Sequence, residues 1–128
     1  MPKNPPLSYS KTMLHTMIMA GGKGTRFWPR SRAKHAKQFL SIIGDKPLIQ
    51  YTLDRITPLT TPKQRWILGN HEQEEHLNQL TDSVPKENIL KEPFGKNTAA
   101  CIGWGAFEAI KQAPDAILVI LPADAWIT

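Results

Sequence analysis

The chain opens on residues 1–13, where Pro2, Pro5 and Pro6 stand among Asn, Ser and Lys, and this stretch reads as a flexible leader. The short apolar run Leu14–Ala20 follows and stops at Gly21-Gly22. A run of that length closed by glycine predicts a buried strand. Gly44-Asp45-Lys46-Pro47 then leads into Leu48–Ile56. Proline at a first helical turn, with Leu48, Ile49, Leu53 and Ile56 recurring at helical spacing, predicts an amphipathic helix that Pro58 ends. Arg65–Asn70 predicts a second strand. His71–Leu80 reads as a polar helix with Leu77 and Leu80 on its buried side. Asn88–Lys91 reads as a brief third strand. A helix capped by Asn97 or Thr98 runs to about Gln112, with Ile102, Ala106, Ala109 and Ile110 on one side. Ala116–Leu121 is apolar on both faces, the pattern of a central parallel strand.

Strands alternating with helices predict an α/β domain with a parallel sheet and right-handed crossovers. Ligands of such sheets bind at the carboxyl ends of the strands. Two segments fall at that edge: Gly21–Lys37 after the first strand and Pro122-Ala123-Asp124 after the last.

Composition narrows the setting. The chain has 128 residues, enough for one domain, with 41% hydrophobic and 21% charged residues. No apolar run approaches the roughly 20 residues of a membrane helix, and residues 1–16 carry no apolar signal core. One cysteine, Cys101, allows no internal disulfide and no zinc spacing, so a reducing, cytoplasmic setting is the default expectation. Sixteen basic against eleven acidic residues give +5. That charge suits an ordinary basic surface or an anionic ligand. Lys23, Arg26, Arg30, Arg32, Lys34 and Lys37 cluster, but no helix-turn-helix or aromatic-interleaved RNA motif accompanies them, so nucleic acid is not the expected partner.

Three glycines in four positions, within Gly21-Gly22-Lys23-Gly24-Thr25-Arg26, let backbone N–H groups close on an anion, with Lys23 and Arg26 adding charge. The run is not a Walker A loop, since no Gly-Lys-Ser/Thr closes it. It is not the dinucleotide fingerprint either, since Phe27 replaces the third glycine. Lys37 is a solvated charge or a phosphate contact, and spacing alone favours the surface. Asp124 is a turn residue or a metal ligand. The histidines of His71-Glu72-Gln73-Glu74-Glu75-His76 are five apart, which sets them about 140° apart around a helix and unsuited to one metal. Cys101 and Trp104 read as packing residues.

Taken together, Gly21-Gly22-Lys23-Gly24-Thr25-Arg26-Phe27-Trp28-Pro29, Ser31-Arg32 and Lys37-Gln38-Phe39-Leu40 resemble the signature of sugar-phosphate nucleotidyltransferases. The Trp-Pro and Lys-Gln-Phe-Leu variants resemble the mannose-1-phosphate guanylyltransferases among them. Glu92-Pro93-Phe94-Gly95-Lys96-Asn97-Thr98-Ala99 resembles that family's second motif and Leu121-Pro122-Ala123-Asp124 its third. The resemblance implies a Rossmann-like parallel sheet of the nucleotide-diphospho-sugar transferase type, incomplete at the C-terminus. Residues 14–128 would form the N-terminal, nucleotide-binding part of the domain. It implies transfer of a nucleotidyl group from GTP to mannose 1-phosphate, with Mg²⁺ as cofactor. The Gly21, Gly22, Lys23, Gly24, Thr25 and Arg26 run would hold the triphosphate. Arg26 and Lys37 would neutralise charge on the reacting phosphates, and Asp124 would bind Mg²⁺. Glu92 would accept the adjacent N1–H and N2–H₂ donors of guanine, unless it is a solvated loop residue. Asn97 and Thr98 would cap their helix, contact the nucleotide, or both.

The family pattern has proline before the Lys-Gln-Phe lysine, where Ala36 stands here, and histidine after the third-motif aspartate, where Ala125 stands. It also continues past Asp124 with a sugar-binding half, so this stretch alone is expected to show little or no transfer. The competing reading is a non-catalytic nucleotide-binding or regulatory module that partners another chain. Homo-oligomerisation stays open, and no membrane partner is expected.

Overall fold

Four short strands form one all-parallel sheet: β1 (Leu14–Met19), β2 (Arg65–Asn70), β3 (Ile89–Glu92) and β4 (Ile117–Pro122). Helices α1 (Leu48–Ile56), α2 (Glu74–Asn78) and α3 (Asn97–Gln112) connect them. The architecture is that of a computed structural model, which describes residues 13–21, 41, 44–80, 82–93 and 97–124. The leader expected over residues 1–13 lies outside these residues except for Met13.

The strand order is β3-β2-β1-β4. The chain steps outward from β1 to β2 to β3, then returns through α3 to pair β4 on the other side of β1. Met17 is in register with Trp66 on one side and with Ile120 on the other. The direction of winding therefore reverses between β1 and β4, the switch point at which α/β sheets open a crevice at their carboxyl edge.

Over β1 and β2 both faces of the sheet are covered. On one face Ile18, Ala20, Ile67 and Ile89 pack with Ile49, Leu53 and Ile56 of α1 and Leu77 of α2. All four apolar positions expected on α1 are buried. Each such side chain contributes on the order of 1.5–3 kcal/mol when fully buried. On the other face Met17, Trp66, Leu68 and Leu90 pack with Cys101 and Ala109 of α3.

Three expectations need correction. The pattern of Ala116–Leu121 predicts a strand at the centre of the sheet, yet β4 pairs only with β1 and is an edge strand among the described residues. Its two-faced apolarity has another cause. Leu118 and Ile120 pack on the α3 side, while Leu121 packs on the α1 side. That coverage is partial, since no residue of β4 is fully buried and Val119 is 40% exposed. Second, α3 turns Cys101, Gly105 and Ala109 to the sheet, whereas Ile110 is 54% exposed and Ile102 and Ala106 are half-buried. Small residues win that face because the helix lies close. A Cβ on Gly105 would overlap the Sδ and Cε of Met17. Third, the helix expected over His71–Leu80 divides into a 3-10 turn at His71–Gln73 and the short α2. Gln73 is the cause. It is drawn into the interior, 2% exposed, where its backbone N–H donates to Asn70 Oδ1 and its Oε1 accepts from the Asn70 backbone.

Candidate functional site

The carboxyl ends of the strands bring Gly21, Asn70, Glu92 and Asp124 to one edge of the sheet. Gly21 continues β1 by two residues. Its approach is set by Ala20, whose N–H donates to Leu68 O at 2.7 Å, and by Asn70, whose Nδ2 donates to Gly21 O at 2.8 Å. The backbones of Gly21 and Gly69 run so close that a Cβ on Gly21 would stand 3.9 Å from Gly69 Cα. Gly69 has no room for a side chain of its own, since a Cβ there would meet Leu77 Cδ1 at 2.5 Å. The end of β2 is thus pressed between α2 and the start of the glycine-rich run.

Glu92 is the last residue of β3 and is half-buried, not a solvated loop glutamate. Its Oε2 lies 4.0 Å from where a Cβ on Gly21 would stand, so the carboxylate reaches across the end of β2. The thiol of Cys101, one turn into α3, lies beside the same carboxylate. Burial first, then the charge and hydrogen bond of Glu92, push that thiol up to about 11. Cys101 is the small core residue expected, 5% exposed, but it also touches the site. At neutral pH it is a protonated donor. A carboxylate has about four lone-pair sites, enough to accept from a pair of adjacent donors on a ligand with the thiol beside it.

Asp124 follows β4 across the switch point from Gly21 and is half-buried. The preceding residue is fastened on both sides: Ala123 N donates to Met19 O at 3.1 Å, and Ala123 O accepts from the buried Thr52 Oγ1 at 3.5 Å. No group of three or more His, Cys, Asp or Glu capable of holding a metal exists among the described residues. His71 and His76 form no such group. Asp124 therefore offers a single carboxylate, a donor set that suits Mg²⁺ when phosphate oxygens and water complete the shell. Thr98 is exposed on the first turn of α3, and Asn97 is the first residue of that helix. Gly22, Lys23, Gly24, Thr25, Arg26 and Lys37 lie outside the described residues, as do Ala36 and Ala125.

Sequence reasoning did not single out Asn70, Gln73 or Thr52. A signal for the first two was present: Asn70-His71-Glu72-Gln73 has the spacing of a capping box directly after an apolar run.

The nucleotidyl transferase family model matches residues 15–128. The chain belongs to the nucleotidyl transferase family. Among curated members, mannose-1-phosphate guanylyltransferase 2 of Escherichia coli O157:H7 is 40% identical over 116 residues, covering 84% of this chain and 23% of that protein. Mannose-1-phosphate guanylyltransferase ManC of Salmonella typhimurium is 39% identical over 124 residues, covering 89% of this chain and 24% of that protein. The crystal structure described as mannose-1-phosphate geranyltransferase from Thermus thermophilus superposes with a TM-score of 0.78 at 35% identity, covering 88% of this chain and 32% of that one. This family member thus spans about a quarter of the length of the curated relatives it matches. Its parallel α/β sheet is the family's fold.

Proposed function

We propose that the chain is the nucleotide-binding part of a Mg²⁺-dependent mannose-1-phosphate guanylyltransferase. In that reaction a phosphate oxygen of mannose 1-phosphate attacks the α-phosphorus of GTP. A new P–O bond forms, the α–β bridging bond breaks, and pyrophosphate leaves with the electron pair. GDP-mannose is the product. The observation that carries the reading is the convergence of Gly21, Glu92 and Asp124 on one sheet edge, across the β1/β4 switch point.

The chemistry needs positioning and charge neutralisation more than covalent help. The backbone of Gly21–Thr25 holds the triphosphate, with Lys23 beside it. Arg26 and Lys37 neutralise charge at the α-phosphate and the departing pyrophosphate. Asp124 binds Mg²⁺, which supplies further neutralisation of the phosphate oxygens when bound. Glu92 accepts from guanine N1–H and N2–H₂, a donor pair that adenine lacks. Thr98 and Asn97 stand at the start of α3, where backbone N–H groups favour anions. A cytoplasmic setting belongs to the same reading and is supported by the single cysteine, which allows no internal disulfide.

Calorimetric titration of the chain with GTP and ATP, with and without Mg²⁺, tests the binding half. A labelled-GTP assay for GDP-mannose tests the transfer half. The expected result is Mg²⁺-dependent binding that favours GTP, with little or no turnover by this chain alone. Absence of any nucleotide binding overturns the reading. Binding without turnover in a longer form that includes this sequence favours a regulatory module.

A further inference from the structure

We propose that Asn70 is a positioning residue for the phosphate-holding run, an inference that rests on the nucleotide-binding reading above. Its side chain makes two bonds with different consequences. Oδ1 accepts from Gln73 N at 3.2 Å and caps the 3-10 turn. Nδ2 donates to Gly21 O at 2.8 Å, 49 residues away in sequence, and orients the peptide through which β1 enters Gly21–Arg26. Asn70 itself cannot drift. Its backbone N–H donates to Gln73 Oε1 at 3.3 Å, Gln73 is buried, and the Gly69 position just before it is filled to contact by Leu77. The cap needs only an acceptor, which Ser or Asp would supply as well. Holding Gly21 needs a donor a full amide's reach further on, and among good caps only Asn combines the two.

Those two roles separate by substitution. Asn70→Ser keeps a neutral cap and is too short to reach Gly21 O. Asn70→Ala loses both. The probes are GTP with Mg²⁺, ATP with Mg²⁺, and inorganic tripolyphosphate, titrated calorimetrically, with a thermal melt beside each variant. Asn70→Ser is expected to melt only about 2–6 °C below the parent, because the cap persists and one hydrogen bond, that to Gly21 O, is lost. All three ligands are expected to weaken by one common factor of about 3 to 10, because a Gly21 peptide released from Asn70 must be ordered again on binding, at a cost of up to one net hydrogen bond. A common factor is the signature of a phosphate-side effect, since tripolyphosphate has no base. Unchanged affinity in Asn70→Ser overturns the proposal. So does a loss confined to GTP, or a melting temperature that falls enough to account for the loss. If the parent chain binds none of the three, the nucleotide-binding reading fails and this inference with it. If the parent binds and Asn70→Ser binds equally, only this inference fails.

Discussion

Replacing Arg65 should cost stability and leave the candidate site untouched. Arg65 begins β2 and is 5% exposed. Its guanidinium makes four hydrogen bonds, each to a neutral oxygen: Nε to Thr60 Oγ1 at 3.1 Å, Nη1 to Ser83 O at 3.0 Å, and Nη2 to Thr60 O at 2.6 Å and Thr57 O at 3.4 Å. Burial draws its pKa below the usual guanidinium value, yet an arginine so placed keeps its charge. The fork ties the chain leaving α1 to the turn before β3. Arg65→Lys keeps the charge but not the fork, so one ammonium must choose among acceptors on three residues in two segments. Leaving one or two buried carbonyls unpaired costs about 1–3 kcal/mol. Arg65→Met leaves all of them unpaired and recovers part of that by burying no charge, for a net loss of about 2–4 kcal/mol. In a domain of this size that lowers Tm by roughly 8–15 °C. The assay is a thermal melt of both variants with GTP titration alongside. Arg65 and Asn70 stand at opposite ends of β2, about 17 Å apart at the usual rise per residue, so nucleotide affinity below the melt should not change. An Arg65→Lys variant that melts with the parent would refute the reasoning.

Three further outcomes follow from the site and core. Arg26→Ala should weaken GTP binding by about tenfold, as loss of a charge-assisted phosphate contact does, and should abolish turnover in any longer active form; an unchanged affinity and rate would remove Arg26 from the mechanism. Glu92→Gln should narrow the preference for GTP over ATP in competition binding, because the amide turns a donor toward a guanine donor. The same change should bring the Cys101 thiol down from about 11, read as faster alkylation at high pH. His15 is buried and accepts from Trp66 Nε1 at 3.1 Å through Nδ1, with its pKa lowered by burial. The unfolded chain therefore binds a proton at pH values where the folded chain resists it, and stability declines as pH falls below about 6.5. His15→Asn offers an acceptor at the Nδ1 position without titrating, and its melting temperature should vary less between pH 7.5 and 5; an identical pH profile would exclude His15 as the source.

Most of the fold was legible because each element carries its own local signal. The Leu48–Ile56 periodicity, the apolar run before Gly21-Gly22 and the strand at Arg65–Asn70 each predict an element that the structure places within a residue or two. Long-range partners were not legible, and the misses share that cause. An apolar run marks a strand, but it does not count the strand's neighbours. Hence β4 reads as central although, among the described residues, it pairs with β1 alone. On α3 hydrophobicity alone selected Ile102 and Ile110. Helix-to-sheet distance decides instead, and it favours Cys101, Gly105 and Ala109 where Met17 leaves no room for more.

The candidate site divides along the same line. The residue types proposed to meet phosphate or metal could be nominated from the sequence, because such chemistry is carried by one side chain or by a contiguous glycine run. The residues that hold the edge in place act through other residues, across wide gaps in sequence. Asn70 reaches Gly21 over 49 positions and Thr52 reaches Ala123 over 71. Nothing local to Asn70 distinguishes a cap that holds one turn from a cap that also holds a second strand. The distinction lies in its amide nitrogen, which the turn does not use. A side chain with one group spent on local structure and one left over is therefore where a sequence reading of such a site should look next. Asn70 meets that condition at the strand end beside the glycine-rich run. Thr52 meets it more weakly, since its hydroxyl stands 3.5 Å from both Leu48 O and Ala123 O. If these contacts govern the edge, Asn70→Ser should disturb the phosphate side of the site more than Thr52→Val disturbs the Asp124 side.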